Sequence, residues 1–292
     1  MSFNKGLIMA AASPLAFSAF NVCLRYISEH ATVWGIMFVR GCIGALLAGL
    51  AGALLGRRLW GRRTGLLSLV GLTGCFSTAL TITAITLVPL YQAIVVLYLY
   101  PAMALLFSAL LNGDRVAVRD VGVVGLAFLG GALLLWPDRA AGLELKLGHL
   151  IGVAGAMCYS LGYVLTARLG RDNAGLEPIF FYSMCMALLA LPLARLFGSG
   201  LAIDSVREAA VVAAAGVVGS LGQLLGYAAL RWLPAFKVGV VGTLEVFFGT
   251  LSSWLLFNDP MTSRSLIGGS VVVLAAFLVQ SRPAIADSPT PA

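Results

Sequence analysis

Val88-Pro89-Leu90-Tyr91 returns as Leu233-Pro234-Ala235-Phe236, an offset of 145 residues from Pro89 to Pro234. Leu111-Asn112-Gly113-Asp114, ahead of a glycine-rich apolar helix, returns as Leu256-Phe257-Asn258-Asp259, with Asp114 and Asp259 again 145 apart. Leu24-Arg25-Tyr26-Ile27 resembles Ala167-Arg168-Leu169-Gly170 at an offset of 143. Each match alone is weak, but their agreement in offset along the whole chain reads as a duplication. Each copy holds five apolar runs, and five is odd. The second copy is therefore expected to enter the membrane upside down relative to the first. Such inverted repeats are typical of secondary transporters, which hold substrate near the midplane between the halves.

The runs lie at roughly 6–27, 32–55, 65–88, 89–111, 119–136, 148–168, 177–197, 208–230, 235–256 and 264–281. Of the 292 residues, 60% are hydrophobic and 11% charged, with a mean hydropathy of +0.97. Soluble domains are about 45–50% apolar and about 25% charged, so a soluble enzyme is excluded on composition. Ten spans of about 20 residues consume roughly 200 positions and leave no room for an extramembrane domain. The expected fold class is an all-α membrane protein of ten transmembrane helices in two inverted five-helix repeats, 1–140 and 148–282, with a disordered tail at 283–292. The apolar stretch reaching Ile27 is too long for the core of a signal peptide, and reads as an uncleaved first span.

The net charge of +7 suits cytoplasmic loops against an anionic inner leaflet better than nucleic acid. With the N-terminus inside, the inner side collects Lys5, Arg57, Arg58, Arg62, Arg63, Arg115, Arg119, Arg168, Arg171, Arg231 and Arg282. The outer side collects Arg25, Arg139, Lys146, Arg195, Arg207 and Arg264, eleven against six. Both termini are thus expected in the cytoplasm, and the protein in the cytoplasmic (inner) membrane. The five cysteines, Cys23, Cys42, Cys75, Cys158 and Cys185, fall inside apolar runs, which argues against a disulfide framework or a zinc site. No metal and no cofactor are expected.

Tyr100-Pro101-Ala102-Met103, then Asn112-Gly113-Asp114-Arg115, then Gly122 and Gly130-Gly131 form a pattern in the first half. Leu244-Glu245-Val246-Phe247, then Phe257-Asn258-Asp259, then Gly268-Gly269 form its counterpart. With Phe38-Val39-Arg40 in span two, these residues resemble the EamA-type members of the drug/metabolite transporter superfamily over essentially the full chain. Span one has Pro14-Leu15-Ala16-Phe17 where that family often carries a tryptophan, and the acidic turn has Asp where Glu is commoner. The resemblance implies ten helices in two inverted repeats and export or exchange of small metabolites, amino acids foremost.

Polar residues inside a span should face protein or water. Pro14, Ser18, Asn21 and Arg25 fall on one face of span one. Tyr159, Tyr163 and Thr166 share a face of span six, and Ser220, Gln223 and Tyr227 a face of span eight. Span four groups Tyr91, Val95 and Tyr98, and span three carries Ser77, Thr78, Thr81 and Thr83. Asn21, Thr78, Thr81, Tyr98, Tyr159, Tyr163, Gln223, Tyr227 and Glu245 are therefore the candidate substrate contacts. For any one hydroxyl, a helix–helix hydrogen bond is the commoner use, so the concerted pattern carries the reading. Spans five and ten offer no polar stripe and read as lipid-facing scaffold.

Glu245 lies about ten residues into span nine, roughly 15 Å deep. A carboxylate there must be neutral, paired or in water. It is a proton-coupling or substrate-ammonium site, or a structural cap for a neighbouring helix. Arg40, about eight residues into span two, has three available roles: pairing with Glu245, binding a substrate carboxylate, or acting in a gate. A gate or structural pairing is the favoured one. Pro14, Pro101 and Pro192 are expected hinges. Gly52 with Gly56, Gly148 with Gly152 and Gly222 with Gly226 are expected close-approach pairs.

No HExxH, GxSxG or Walker motif stands in the sequence, His30 and His149 sit at span ends, and no Asp lies mid-span. The expected function is a secondary transporter exporting small metabolites, amino acids or related amphipathic compounds, by alternating access around a central cavity. A carrier for nucleosides, sugars or cationic drugs is the alternative; a channel or an intramembrane enzyme is remote. Expected partners are the small-molecule substrate, membrane lipid and protons as a candidate coupling ion, with the protein a monomer or homodimer.

Overall fold

The structure is a computed structural model, which describes residues 2–27, 32–57, 59–60, 63–88, 96–113, 116–135, 146–169, 175–196, 205–257 and 263–280. Its helices are α1 (Ser2–Ile27), α2 (Val33–Leu54), α3 (Thr64–Leu87), α4 (Tyr100–Asn112), α5 (Val118–Leu135) and α6 (Leu147–Arg168). They continue as α7 (Leu176–Leu196), α8 (Val206–Ala229), α9 (Ala235–Gly242), α10 (Leu244–Phe257) and α11 (Ser263–Gln280). Seven stretches are long and apolar enough to cross a membrane, one of them running from Ala235 to Leu256 across α9 and α10. Two more, Tyr100–Asn112 and Leu266–Leu278, are apolar but shorter. The chain is thus an all-helical membrane protein. Tyr91, Val95, His30 and the tail lie outside the described residues.

Helix ends follow local chemistry. The Thr32 hydroxyl accepts the Gly35 N–H at 3.2 Å and opens α2, and Ser205 accepts the Glu208 N–H at 3.1 Å to open α8. The Lys146 N–H donates to His149 Nδ1 at 2.9 Å, so this histidine serves the start of α6. Gly113, at φ +71°, closes α4 in the left-handed conformation that glycine adopts without steric cost.

The most extensive seams are α3–α6, α1–α8, α2–α7 and α5–α11, followed by α3–α7 and α2–α8. Lipid supplies no hydrophobic drive between helices, so small residues that let backbones approach must hold such seams. They do. Gly41 of α2 faces the backbone of Ala187 and Ser183 on α7, and Gly71 of α3 faces Phe181. Gly148 and Gly155 of α6 face Val88 and Thr81, Gly222 of α8 faces Phe17, and Gly130 of α5 faces Val271 and Val272 of α11. One hydroxyl–carbonyl bond fastens each of two seams, Ser13 Oγ to Gly222 O at 2.8 Å and Ser77 Oγ to Gly155 O at 2.9 Å. Leu46, Leu50, Leu110, Leu188 and Leu266 remain exposed, as suits a surface whose solvent is hydrocarbon.

Three expectations change. Gly56 has φ +62° and lies just past the end of α2, with nothing near the position of a Cβ; its supposed partner Gly52 meets the Leu59 side chain. Pro101 occupies the second position of α4, where no intrahelical hydrogen bond is lost, so it starts a helix and does not hinge one. Pro14 and Pro192 do lie inside helices. Span nine is two helices, α9 and α10, meeting at Thr243, whose hydroxyl turns back onto Val240 O at 2.7 Å. In span four the chain likewise turns at Tyr98 and Leu99 before α4. Tyr98 and Thr243 are 145 residues apart, the offset of the duplication itself.

Candidate functional site

The two helix breaks meet. Gly239 of α9 packs on the Tyr100 ring and Pro101, and Gly239 O accepts the Tyr100 hydroxyl at 2.7 Å. A Cβ at Gly242 would collide with that same hydroxyl. Tyr100 is thereby held upright at the head of α4, where it gathers other aromatics. Its ring centroid lies 6.0 Å from Tyr98, 4.9 Å from Tyr159 and 6.3 Å from Tyr163. Tyr159 and Tyr163, one turn apart on α6, stack at 4.9 Å, and the Tyr159 hydroxyl donates to that of Tyr163 at 3.1 Å. Tyr163 in turn meets Tyr227 of α8 edge-on at 5.6 Å. Five tyrosines from three spans form one continuous wall, with separations typical of favourable aromatic pairs.

Glu245 stands in the first turn of α10, beside this wall and within electrostatic reach of Tyr98, Tyr100, Tyr159 and Tyr163. Its Oε1 accepts the Asn21 amide of α1 at 2.9 Å. Asn21 is exposed and Glu245 half-buried. Further along the same two helices, the Ser18 and Ser252 hydroxyls approach at 3.2 Å. The break at Thr243 is what sets a helix N-terminus one residue before the carboxylate, where the macrodipole favours negative charge.

Arg40 of α2 is only 8% exposed. It forms no ion pair among the described residues and lies in an aromatic box instead. Its guanidinium carbon stands 4.7 Å from the Phe20 ring, 5.7 Å from Phe17 and 5.9 Å from Tyr182. Tyr182, on α7, also pairs with the Thr78 hydroxyl at 3.3 Å, and Thr78 donates as well to Gly74 O at 3.0 Å. Gln223 is 2% exposed, beside Tyr227 on α8.

The structure therefore gathers Tyr98, Tyr159, Tyr163, Tyr227, Asn21 and Glu245 about the paired breaks. Arg40, Gln223 and, through Tyr182, Thr78 stand along the neighbouring α2–α7–α8 contact. Thr81 belongs to packing, its hydroxyl 3.2 Å from where a Gly155 Cβ would be. Thr166 bonds its own helix at Gly162 O, 2.8 Å away. Sequence reasoning passed over Tyr182, Phe17 and Phe20 because each sits in an otherwise apolar run. The spacing of Phe17 and Phe20 on the Asn21 side of α1 is the only signal that pointed to them.

With this geometry in place, the comparisons with known proteins are informative. The pattern of the EamA-like transporter family matches twice, over residues 4–136 and 146–281. The chain belongs to the EamA-like transporter family. Within it, the chain is similar to the pseudopaline exporter CntI of Pseudomonas aeruginosa strain UCBPP-PA14. The two are 24% identical over 272 residues, 93% of this chain and 94% of the exporter. The same exporter from strain PAO1 aligns with the same figures. A solved crystal structure superposes with a TM-score of 0.80 at 20% identity, covering 94% of this chain and 98% of the other, a likeness of fold alone. Family membership places this helical membrane protein among transporters and away from enzymes.

Proposed function

We propose that this member of the family exports a small amphipathic metabolite, an amino acid or a related compound, across the cytoplasmic membrane. In this reading ten spans form two inverted halves with both termini inside, and the halves rock around a site at the paired breaks of spans four and nine. The carrying observation is the Asn21–Glu245 pair, at 2.9 Å, set at one break and walled by tyrosines gathered at the other. Interrupted helices in corresponding positions of the two halves are where transporters of this design bind cargo. A membrane-depth carboxylate has two functional uses, to meet a cationic group or to carry a proton. The aromatic wall suits an ammonium or an apolar side chain. Support for the exporting direction is the likeness to the pseudopaline exporter.

The same tyrosines around one carboxylate favour a second reading, a carrier of organic cations. Proteoliposome flux separates the two. Labelled neutral amino acids, a nucleoside and a quaternary amine are each followed with and without a pH gradient, for the wild type and Glu245→Gln. Amino-acid flux that follows the gradient and loses that response in Glu245→Gln is the expected result. Flux of the quaternary amine alone would replace the amino-acid reading with the second. Amino-acid flux indifferent to both the gradient and the substitution would leave Glu245 a structural residue.

A further inference from the structure

Gly239, Gly242 and Gly249 all lie on the broken span nine, and they differ in what they face. Where Gly239 and Gly242 would carry a Cβ, the Tyr100 side chain already stands. Nothing lies within 4 Å of the corresponding position at Gly249. Glycines of the helix seams resemble the first two. The nearest atoms to a Cβ at Gly41, Gly71, Gly148 and Gly222 stand at 2.5, 2.7, 2.7 and 3.1 Å. There the missing side chain permits close approach; at Gly249 it leaves a gap.

An α-helix turns about 100° per residue, so the direction of the gap follows from its neighbours on α10. Glu245 and Ser252 both face α1, through the Asn21 amide at 2.9 Å and the Ser18 hydroxyl at 3.2 Å. Val246 faces the tyrosine wall, buried in one cluster with Tyr98 and Tyr100. Measured from Glu245, Ser252 lies about 20° to one side, while Gly249 lies about 40° and Val246 about 100° to the other. Gly249 therefore faces the interval between α1 and the tyrosines. The exposed Trp254, about 180° round from Glu245, points away from both. Along the axis, the gap sits between the Asn21–Glu245 and Ser18–Ser252 pairs, whose α10 members are about 10 Å apart. Packed interiors leave few voids, and one bounded by a membrane-depth carboxylate and an aromatic wall has the character of a ligand site.

We propose that the space over Gly249 is the subsite for the uncharged body of the cargo, and that Gly249 sets the largest body accepted. The cationic group of the cargo meets Glu245, and its apolar or aromatic side chain lies over Gly249 beside Tyr98 and Tyr100. With no Cβ in the way, a ring can lie close against the α10 backbone. This rests on the transport reading above and narrows the substrate class to amphipathic amines with a bulky side chain. Any side chain introduced at position 249 takes its volume from the cargo, so the penalty grows with the size of both.

The test uses the full-length protein in proteoliposomes and two pairs of labelled probes, L-alanine with L-phenylalanine and tetramethylammonium with benzyltrimethylammonium. Flux is measured for the wild type, Gly249→Ala, Gly249→Leu and Gly125→Leu, with thermal midpoints in detergent as a check on folding. Gly125, on α5, also has nothing within 4 Å of its Cβ position and serves as the control away from the site. Gly249→Leu is expected to lower flux of the larger probe at least tenfold relative to the smaller, as occupied volume in an apolar pocket does. Gly249→Ala shifts the ratio less, and Gly125→Leu leaves it unchanged. The Gly249→Leu midpoint is expected to stay level or rise, because leucine enters open space and favours the helix. Equal loss of both members of a pair makes Gly249 a packing residue and overturns the subsite. Unchanged flux of both makes it a lipid-facing glycine and overturns the subsite too; in either case wild-type flux leaves the transport reading standing. Size discrimination among the ammonium probes alone upholds the subsite and replaces the amino-acid reading with the cation carrier. Wild-type protein that moves none of the four probes overturns the transport reading, and the subsite with it.

Discussion

Gly41→Ala tests whether helix seams are held by backbone approach. Gly41 follows Arg40 on α2, and a Cβ there would stand 2.5 Å from Ala187 N, 2.7 Å from Ser183 O and 3.0 Å from Ala187 Cα. All three are backbone atoms of α7, so no rotamer change relieves them. Restoring ordinary contact at 3.4 Å requires α2 and α7 to part by about 0.9 Å at this level. Overpacking of this kind costs about 1–3 kcal/mol, and the backbone contacts place Gly41 at the upper end. Alanine returns about 1 kcal/mol through its better helix propensity, for a net loss of about 1–2 kcal/mol. Gly49→Ala is the matched control on the same helix, its Cβ an ordinary 3.8 Å from the Phe180 ring. It is expected to be neutral or stabilising by up to ~1 kcal/mol. Denaturant titration in mixed micelles, followed by tryptophan fluorescence, reads both, since Trp60 lies 5.3 Å from Phe181 and 6.2 Å from Phe180 of α7. A Gly41→Ala midpoint equal to or above that of Gly49→Ala would refute the reasoning.

Tyr100→Phe removes the 2.7 Å bond that ties the two breaks together, and is expected to cost about 1 kcal/mol in the same titration. A midpoint within error of the wild type would show that ring packing alone holds the breaks. Gly226→Ala places a Cβ 2.8 Å from the Tyr163 hydroxyl and 3.2 Å from that of Ser13, displacing Tyr163 from Tyr159. It is expected to slow proteoliposome flux several-fold, whereas Gly125→Ala, with open space at its Cβ, leaves flux unchanged.

The apolar runs were legible because lipid forces every backbone polar group into helical bonds, which leaves only long hydrophobic stretches to find. Two tyrosines one turn apart, Tyr159 and Tyr163, declared a helix face, and that face does meet Tyr100 and Tyr227. The pairing of Asn21 with Glu245 was not legible. Both stood out singly, but 224 residues separate them, and which faces meet across a seam is set by glycine positions that hydropathy ignores. The break at Thr243 was hidden for a related reason. Gly239, Gly242 and Thr243 read as ordinary members of an apolar run, and only contact with Tyr100 and Pro101 shows why the helix stops there. Arg40 illustrates the opposite failure. Its charge suggested an ionic partner, while aromatic rings spaced along α1 and a single tyrosine on α7 surround it.

The seams α1–α8, α3–α6, α2–α7 and α5–α11 each join a helix of residues 4–136 to one of residues 146–281. Among the described residues, each half therefore makes its most extensive contacts with the other half. During synthesis the first five helices must stand in the bilayer with their glycine stripes facing lipid until their partners arrive, so the last helices inserted complete contacts that the earliest ones opened.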